Sequence, residues 1–202
     1  MPPGSGGAPV VTLLSASILL FLVMDPFGNI PFFQVVLRPV APARRRRVIA
    51  REMLIALAVL TLFLFAGPAF LALLHISEMS LQIAGGIILF LIAIRMIFKS
   101  PREMFSDDLE GEPLVVPLAI PSVAGPSAVA VVLVLSAQEP ARWAEWLAAL
   151  LLAWGATGLI LLAASDLGRI LGERGLMALQ RLMGLLLTTI AVEMFIRGLR
   201  NF

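Results

Sequence analysis

At 202 residues, 60% hydrophobic and only 14% charged, with a mean hydropathy of +1.00, the chain lies outside the range of soluble domains, which are about half apolar and about a quarter charged. It reads as an integral membrane protein. The isoelectric point near 10.4 goes with a net charge of only +2 and with basic residues confined to inter-helix loops, which excludes nucleic acid as a partner, and the absence of cysteine excludes disulfides, zinc ribbons and thiol chemistry.

The N-terminal tail, MPPGSGGAP, carries no Lys or Arg, which argues against a cleaved signal peptide. Six apolar spans follow, each with the ~20 residues needed to cross a ~30 Å hydrocarbon core. They cover about 10–38, 48–74, 79–98, 114–137, 143–165 and 176–197. The expected fold is therefore an all-α integral membrane protein of six transmembrane helices. A polar stretch, 99–113, divides it into halves 1–98 and 114–202 and is expected to be a cytoplasmic linker.

The first span is interrupted at Met24 to Phe33, MDPFGNIPFF. Pro26, Gly28, Asn29 and Pro31 make an unbroken helix there unfavourable, because each proline removes a backbone donor and crowds the preceding turn. Such breaks persist at membrane depth only where they face protein or a watery cavity. Asp25 adds an ionisable group, which in a membrane points to function. In the fourth span Ile120 to Ser127 reads IPSVAGPS, and Pro121 and Pro126 repeat the spacing of Pro26 and Pro31 at an offset of 95. Matched breaks in two halves mark a transporter binding site.

Loop charges orient the chain. Arg38, Arg44 to Arg47 and Arg51, then Arg95, Lys99 and Arg102, then Arg169, Arg174 and Arg181 place twelve basic residues on one side, against Arg142, Arg197 and Arg200 on the other. The richer side is assigned to the cytoplasm and both termini to the outside, with Trp143 and Trp146 at the outer interface. Three spans per half then give the halves opposite topology. The third and sixth spans align at an offset of 98: Leu81-Gln82 with Leu179-Gln180, Gly86 with Gly184, Ile92-Ala93 with Ile190-Ala191 and Met96 with Met194. The halves are thus expected to be two inverted-topology three-helix repeats.

A broken helix offers N–H groups at the positive end of one half-helix and carbonyls at the end of the other. The pair suits a small zwitterion. Asp25 is the candidate to hold an ammonium or carry a coupling ion, or alternatively to cap the half-helix after it. Asn29, Ser122 and Ser127 are candidates to orient a substrate, with Gly28 and Gly125 allowing close approach and Phe27, Phe32 and Phe33 walling a cavity. Gly85, Gly86 and Gly184 read as close-packing positions. Glu52, following Arg51 at the cytoplasmic start of the second span, reads as a solvated cap, and His75 as a residue of an outer loop. No nucleophile has a base beside it, the single His lacks a metal-ligand partner, and no phosphate-binding loop occurs. An enzyme is not expected, nor any cofactor beyond a coupling proton or sodium ion.

These motifs, MDPFGNIPFF (24–33), LQIAGGIILFLIAIRMIF (81–98), VPLAIPSVAGPSAVA (116–130) and LQRLMGLLLTTIAVEMFIRGL (179–199), resemble the MarC family of prokaryotic inner-membrane proteins over nearly the whole chain. The resemblance implies a six-span protein related to cation-coupled transporters of small neutral amino acids such as glycine or alanine. It puts the site at Asp25, Gly28, Asn29, Ser122, Gly125 and Ser127, with Pro26, Pro31, Pro121 and Pro126 shaping the breaks. The alternatives are an exporter of another small metabolite and a non-transporting membrane subunit or assembly factor. Substrate identity, direction, coupling ion and homo-oligomerisation stay open at this stage.

Overall fold

The computed structural model describes residues 11–37, 40–98 and 123–200, and these form helices and short connections with no strand among the described residues. The helices are α1 (Leu13–Met24), α2 (Pro26–Val36), α3 (Pro42–Leu73), α4 (Glu78–Phe98), α5 (Pro126–Gln138), α6 (Trp143–Leu162) and α7 (Ala164–Arg200). Five stretches are long and apolar enough to span a membrane: Leu13–Gln34, Pro42–Leu73, Met79–Phe98, Pro140–Leu162 and Arg174–Arg200. Of the expected fourth span, the shorter apolar helix α5 is seen. Its first part, with Pro121 and Ser122, lies outside the described residues, as does the linker 99–113.

Helix α1 starts in a capping box. Thr12 Oγ1 accepts the Ser15 N–H at 3.2 Å, and Ser15 Oγ accepts the Thr12 N–H at 2.9 Å. Ala16, Leu20, Val23 and Met24 face the core while Leu14 and Ile18 are exposed, the arrangement of a helix with lipid on one side. Helix α3 starts on Pro42 at its first turn and runs for 32 residues. At ~1.5 Å per residue it is longer than the ~30 Å apolar core, so its arginine-rich first turns extend beyond the hydrocarbon. It ends at Leu73 with Leu74 as C-cap, and the next residue, His75, has a left-handed φ of 54°, at the position usually given to glycine past a helix end. The Ile76 N–H then closes on the Leu71 carbonyl at 3.0 Å.

Two expectations change here. The loop expected between the fifth and sixth spans is largely helical: α7 begins at Ala164 and turns sharply at Gly172 (φ 63°, ψ 176°) before the membrane-length part. That backbone conformation is essentially restricted to glycine. The second change concerns Glu52. It is not a solvated cap but only 1% exposed, in the buried stripe Ile49, Met53, Ala56, Leu60 and Leu64 of α3. The helix N-cap is Ala41, eleven residues earlier, so Glu52 is too far along to meet the first N–H groups.

The most extensive helix pair is α4 with α7, which run antiparallel. Lipid supplies little hydrophobic drive between helices, so close packing of small residues has to hold them. A methyl group on Gly86 would lie 2.9 Å from the Ala191 carbonyl oxygen and 3.0 Å from the Phe195 nitrogen. One on Gly184 would lie 3.0 Å from the Ala93 carbonyl oxygen and 2.8 Å from Ile97 Cγ1. Gln180 Nε2 donates to the Met96 carbonyl across the same seam at 3.1 Å. Around it, α1 packs on α6, α2 on α6 and α7, and α5 on α3 and α4.

Candidate functional site

The interruption of the first span is one residue wide. Asp25 adopts a left-handed conformation (φ 44°, ψ 62°) between α1 and α2. Its N–H donates to the Phe21 and Leu22 carbonyls at 3.2 and 3.1 Å and ends α1. Pro26 then occupies the first position of α2, where the missing N–H costs nothing. Pro31, expected to shape the break, instead lies inside α2. The helix continues through it as far as Val36.

The two freed ends are met largely by the segment's own side chains. Asp25 Oδ1 accepts the Gly28 N–H at 3.1 Å, as an N-cap of α2. Asn29 Nδ2 donates to the Met24 and Asp25 carbonyls, both at 3.0 Å, and so covers the end of α1. Asp25, Gly28 and Asn29 are therefore one hydrogen-bonded unit. Asp25 is 7% exposed, and its Oδ2 makes no hydrogen bond among the described residues. A Cβ at Gly28 would run into that carboxylate and into the Met96 methyl from α4. Gly28→Ala is accordingly expected to destabilise the protein by about 1–3 kcal/mol, the usual cost of overpacking, read as a lower melting temperature in detergent.

Neighbouring helices close over the unit. Thr157 of α6 directs its hydroxyl at Met24 Sδ, 3.7 Å away. Phe21 and Phe27 meet edge to face across the break at 6.1 Å. Phe32 and Phe33 are buried in the core, and Phe27 is only partly buried. Two crevices, of about 460 and 610 Å³, lie away from the break. The first is lined by Leu64, Phe65, Pro68, Ser136, Trp143 and Trp146, the second by Leu19, Thr188, Thr189, Glu193, Met194 and Arg197 among others.

The second break differs in chemistry. Gly125 is the N-cap of α5 (φ −65°, ψ 169°), Pro126 follows at the first position, and no side chain caps the helix. Gly125, Ser127 and Ala128 are buried while Pro126 is exposed. One break thus carries its own carboxylate over the helix start. The other presents a buried helix start without a side-chain cap, the end of a helix that favours negative charge. Ser122 and Pro121 fall outside the described residues. Sequence reasoning missed Met96 and Thr157, which reach the first break from distant helices and carry no local signal.

Apolar spanning helices with a carboxylate buried at a mid-span break define an integral membrane protein with a polar site inside the bundle. The chain belongs to the MarC family of integral membrane proteins, whose family model matches residues 10–202. It is 51% identical to the UPF0056 inner membrane protein YhgN of Escherichia coli (strain K12) over 189 residues, which cover 93% of this chain and 96% of that protein. A UPF0056 membrane protein of Buchnera aphidicola subsp. Baizongia pistaciae is 44% identical over 193 residues, 94% of this chain and 97% of that one. One from Chlamydia pneumoniae is 34% identical over 193 residues, 94% and 95% of the two chains. No solved structure matches significantly.

Proposed function

We propose that the protein is a secondary transporter of small neutral amino acids of glycine or alanine size, coupled to a proton or sodium gradient and working by alternating access. The observation that carries this reading is the unequal pair of breaks. Asp25 places an acceptor oxygen for an ammonium beside one of them, and the uncapped start of α5 at Gly125 favours a carboxylate at the other. Asn29 and Ser127 supply neutral hydrogen bonds, and Ser122 is assigned with them from its place in the motif. Asp25 is also a candidate for the coupling ion.

Alternating access needs two units that move against each other, and we assign them to inverted repeats 1–98 and 114–202. The helix contacts support this. The first span packs on the fifth and sixth through α2, and the fourth packs on the second and third through α5. Along the α4–α7 seam, Gly86 meets Ala191 and Phe195 while Gly184 meets Ala93 and Ile97, each pair related by the offset of 98. Such reciprocal contacts are what a two-fold relation produces. The arginine-rich ends of α3 and α7 are placed in the cytoplasm and both termini outside.

A second reading, a non-transporting membrane subunit, draws on one observation: the first break satisfies much of its own backbone with Asp25 and Asn29. Uptake of labelled glycine and alanine by proteoliposomes of the pure protein, with and without proton and sodium gradients, separates the two. Gradient-dependent accumulation is expected. Folded protein that moves neither amino acid in either direction would overturn the transporter reading and favour the subunit.

A further inference from the structure

Glu52 has no part in the site described so far, yet it is among the most deeply buried side chains of the protein. Its Oε1 accepts two hydrogen bonds from Arg51, from Nε at 3.2 Å and Nη2 at 3.0 Å, and the Arg51 side chain is itself 48% exposed. Its Oε2 is buried and has no hydrogen-bond partner. A carboxylate oxygen removed from water and left without a donor is unfavourable, and cores normally avoid it. A bound cation or proton would relieve it.

The position is also telling. Met53, the next residue, gives its carbonyl to Trp154 Nε1 at 2.7 Å, and its side chain packs over Gly158. Thr157, on the same turn of α6, touches Met24, the residue before Asp25. One turn of α6, about 5.4 Å of helix, therefore contacts the neighbours of both carboxylates and sets them at similar depth. Among the described residues, the elements packed against α3 bring few other charges, and across α6 lies Asp25. Of the helices packed against α3, α5 has no charged residue, and α6 has only Glu145, near its opposite end. On α3 itself, Arg44, Arg46 and Arg47 are exposed and Arg45 is partly buried, which leaves Arg51 as the ion-pair partner.

We infer that Glu52 binds the coupling cation, a proton or sodium ion, across α6 from the break that takes the amino acid. The assignment rests on the transporter reading for its purpose but not for its chemistry. Asp25 then serves the substrate ammonium and Glu52 the ion, and the shared turn of α6 lets occupation of one be felt at the other.

The test uses the full-length protein in detergent and in liposomes, with Glu52→Gln and Glu52→Asp. In detergent, the melting temperature is followed while sodium chloride replaces choline chloride at fixed pH, and then across pH without sodium. Ligand that binds only folded protein raises the melting temperature. Wild type and Glu52→Asp are expected to respond to one of the two titrations more strongly than Glu52→Gln, whose remaining pH response is that of the other carboxylates, Asp25 among them. A sodium response at fixed pH identifies sodium, and a response to pH alone identifies the proton. In liposomes, Glu52→Gln is expected to lose gradient-driven accumulation of labelled glycine. The inference is overturned if Glu52→Gln, still folded, keeps the wild-type cation response or accumulates glycine. A cation response that depends on Glu52 in a wild-type protein that transports nothing would uphold the cation site and remove the transporter reading instead.

Discussion

Asp25→Asn is expected to yield a folded protein whose gradient-driven glycine uptake falls by on the order of a hundred- to a thousandfold, since removing one member of a buried charge pair costs about 3–5 kcal/mol. The fold should survive because of where Asp25 sits. Asparagine, like aspartate, tolerates the left-handed backbone found there (φ 44°). Its side-chain oxygen can still accept the Gly28 N–H. What it lacks is the charge for an ammonium. Asp25→Ala separates the two roles from the other side. It loses the cap, about 1 kcal/mol, and places a Cβ without polar compensation in the left-handed region, about 1–2 kcal/mol more. The alanine variant should therefore melt lower, whereas the asparagine variant should melt near wild type and fail only in transport. Wild-type uptake by Asp25→Asn would remove Asp25 from the substrate site and leave it a helix cap.

The largest effect on stability is expected at the α4–α7 seam. Gly86→Leu must push a side chain against the Ala191 carbonyl and the Phe195 nitrogen, and Gly184→Leu against the Ala93 carbonyl. These are backbone atoms of a facing helix, so relief requires the helices to separate along the most extensive helix pair described. Overpacking costs typically about 1–3 kcal/mol and occasionally more, and leucine here belongs at or above the upper end. Little monodisperse protein should survive size exclusion, with a strongly lowered melting temperature in what remains. Gly155 of α6 is the control, because a methyl group there would meet nothing within 4 Å. Gly155→Leu should behave as wild type. If Gly86→Leu did so too, the seam would not be the close-packed element described.

What could be read in advance follows from how local each signal is. The apolar spans are legible because lipid imposes its demand on every residue of a helix. The Asp25 break is legible because a proline preceded by a capping residue and followed by glycine marks a helix start by short-range chemistry. Pro31 has no capping residue directly before it and no glycine after it, and α2 runs through it, since proline weighs on a helix without always ending it. Gly125 and Pro126 did mark a start, and a glycine at the N-cap has no side chain with which to cap it. Glu52 was misjudged from its arginine neighbours along the chain. Its spacing of four from Ala56, itself on the buried face, gave the better indication. Met96 and Thr157 meet the break only through the fold, and the kink at Gly172 depends on a single residue within an otherwise helical stretch.

The left-handed residue has one more consequence. A helix that ran unbroken from Leu13 to Val36 would be a stiff rod, bound to carry any tilt of one end to the other. With Asp25 between them, α1 lies mainly against α6, while α2 leans also on α7. The first span is thus an articulated strut, its two limbs answering to different neighbours. The joint between them is narrow, and its pivot is the residue that bears the carboxylate. Displacement of α7 relative to α6 would be concentrated at that pivot, swinging the acid instead of bending either limb.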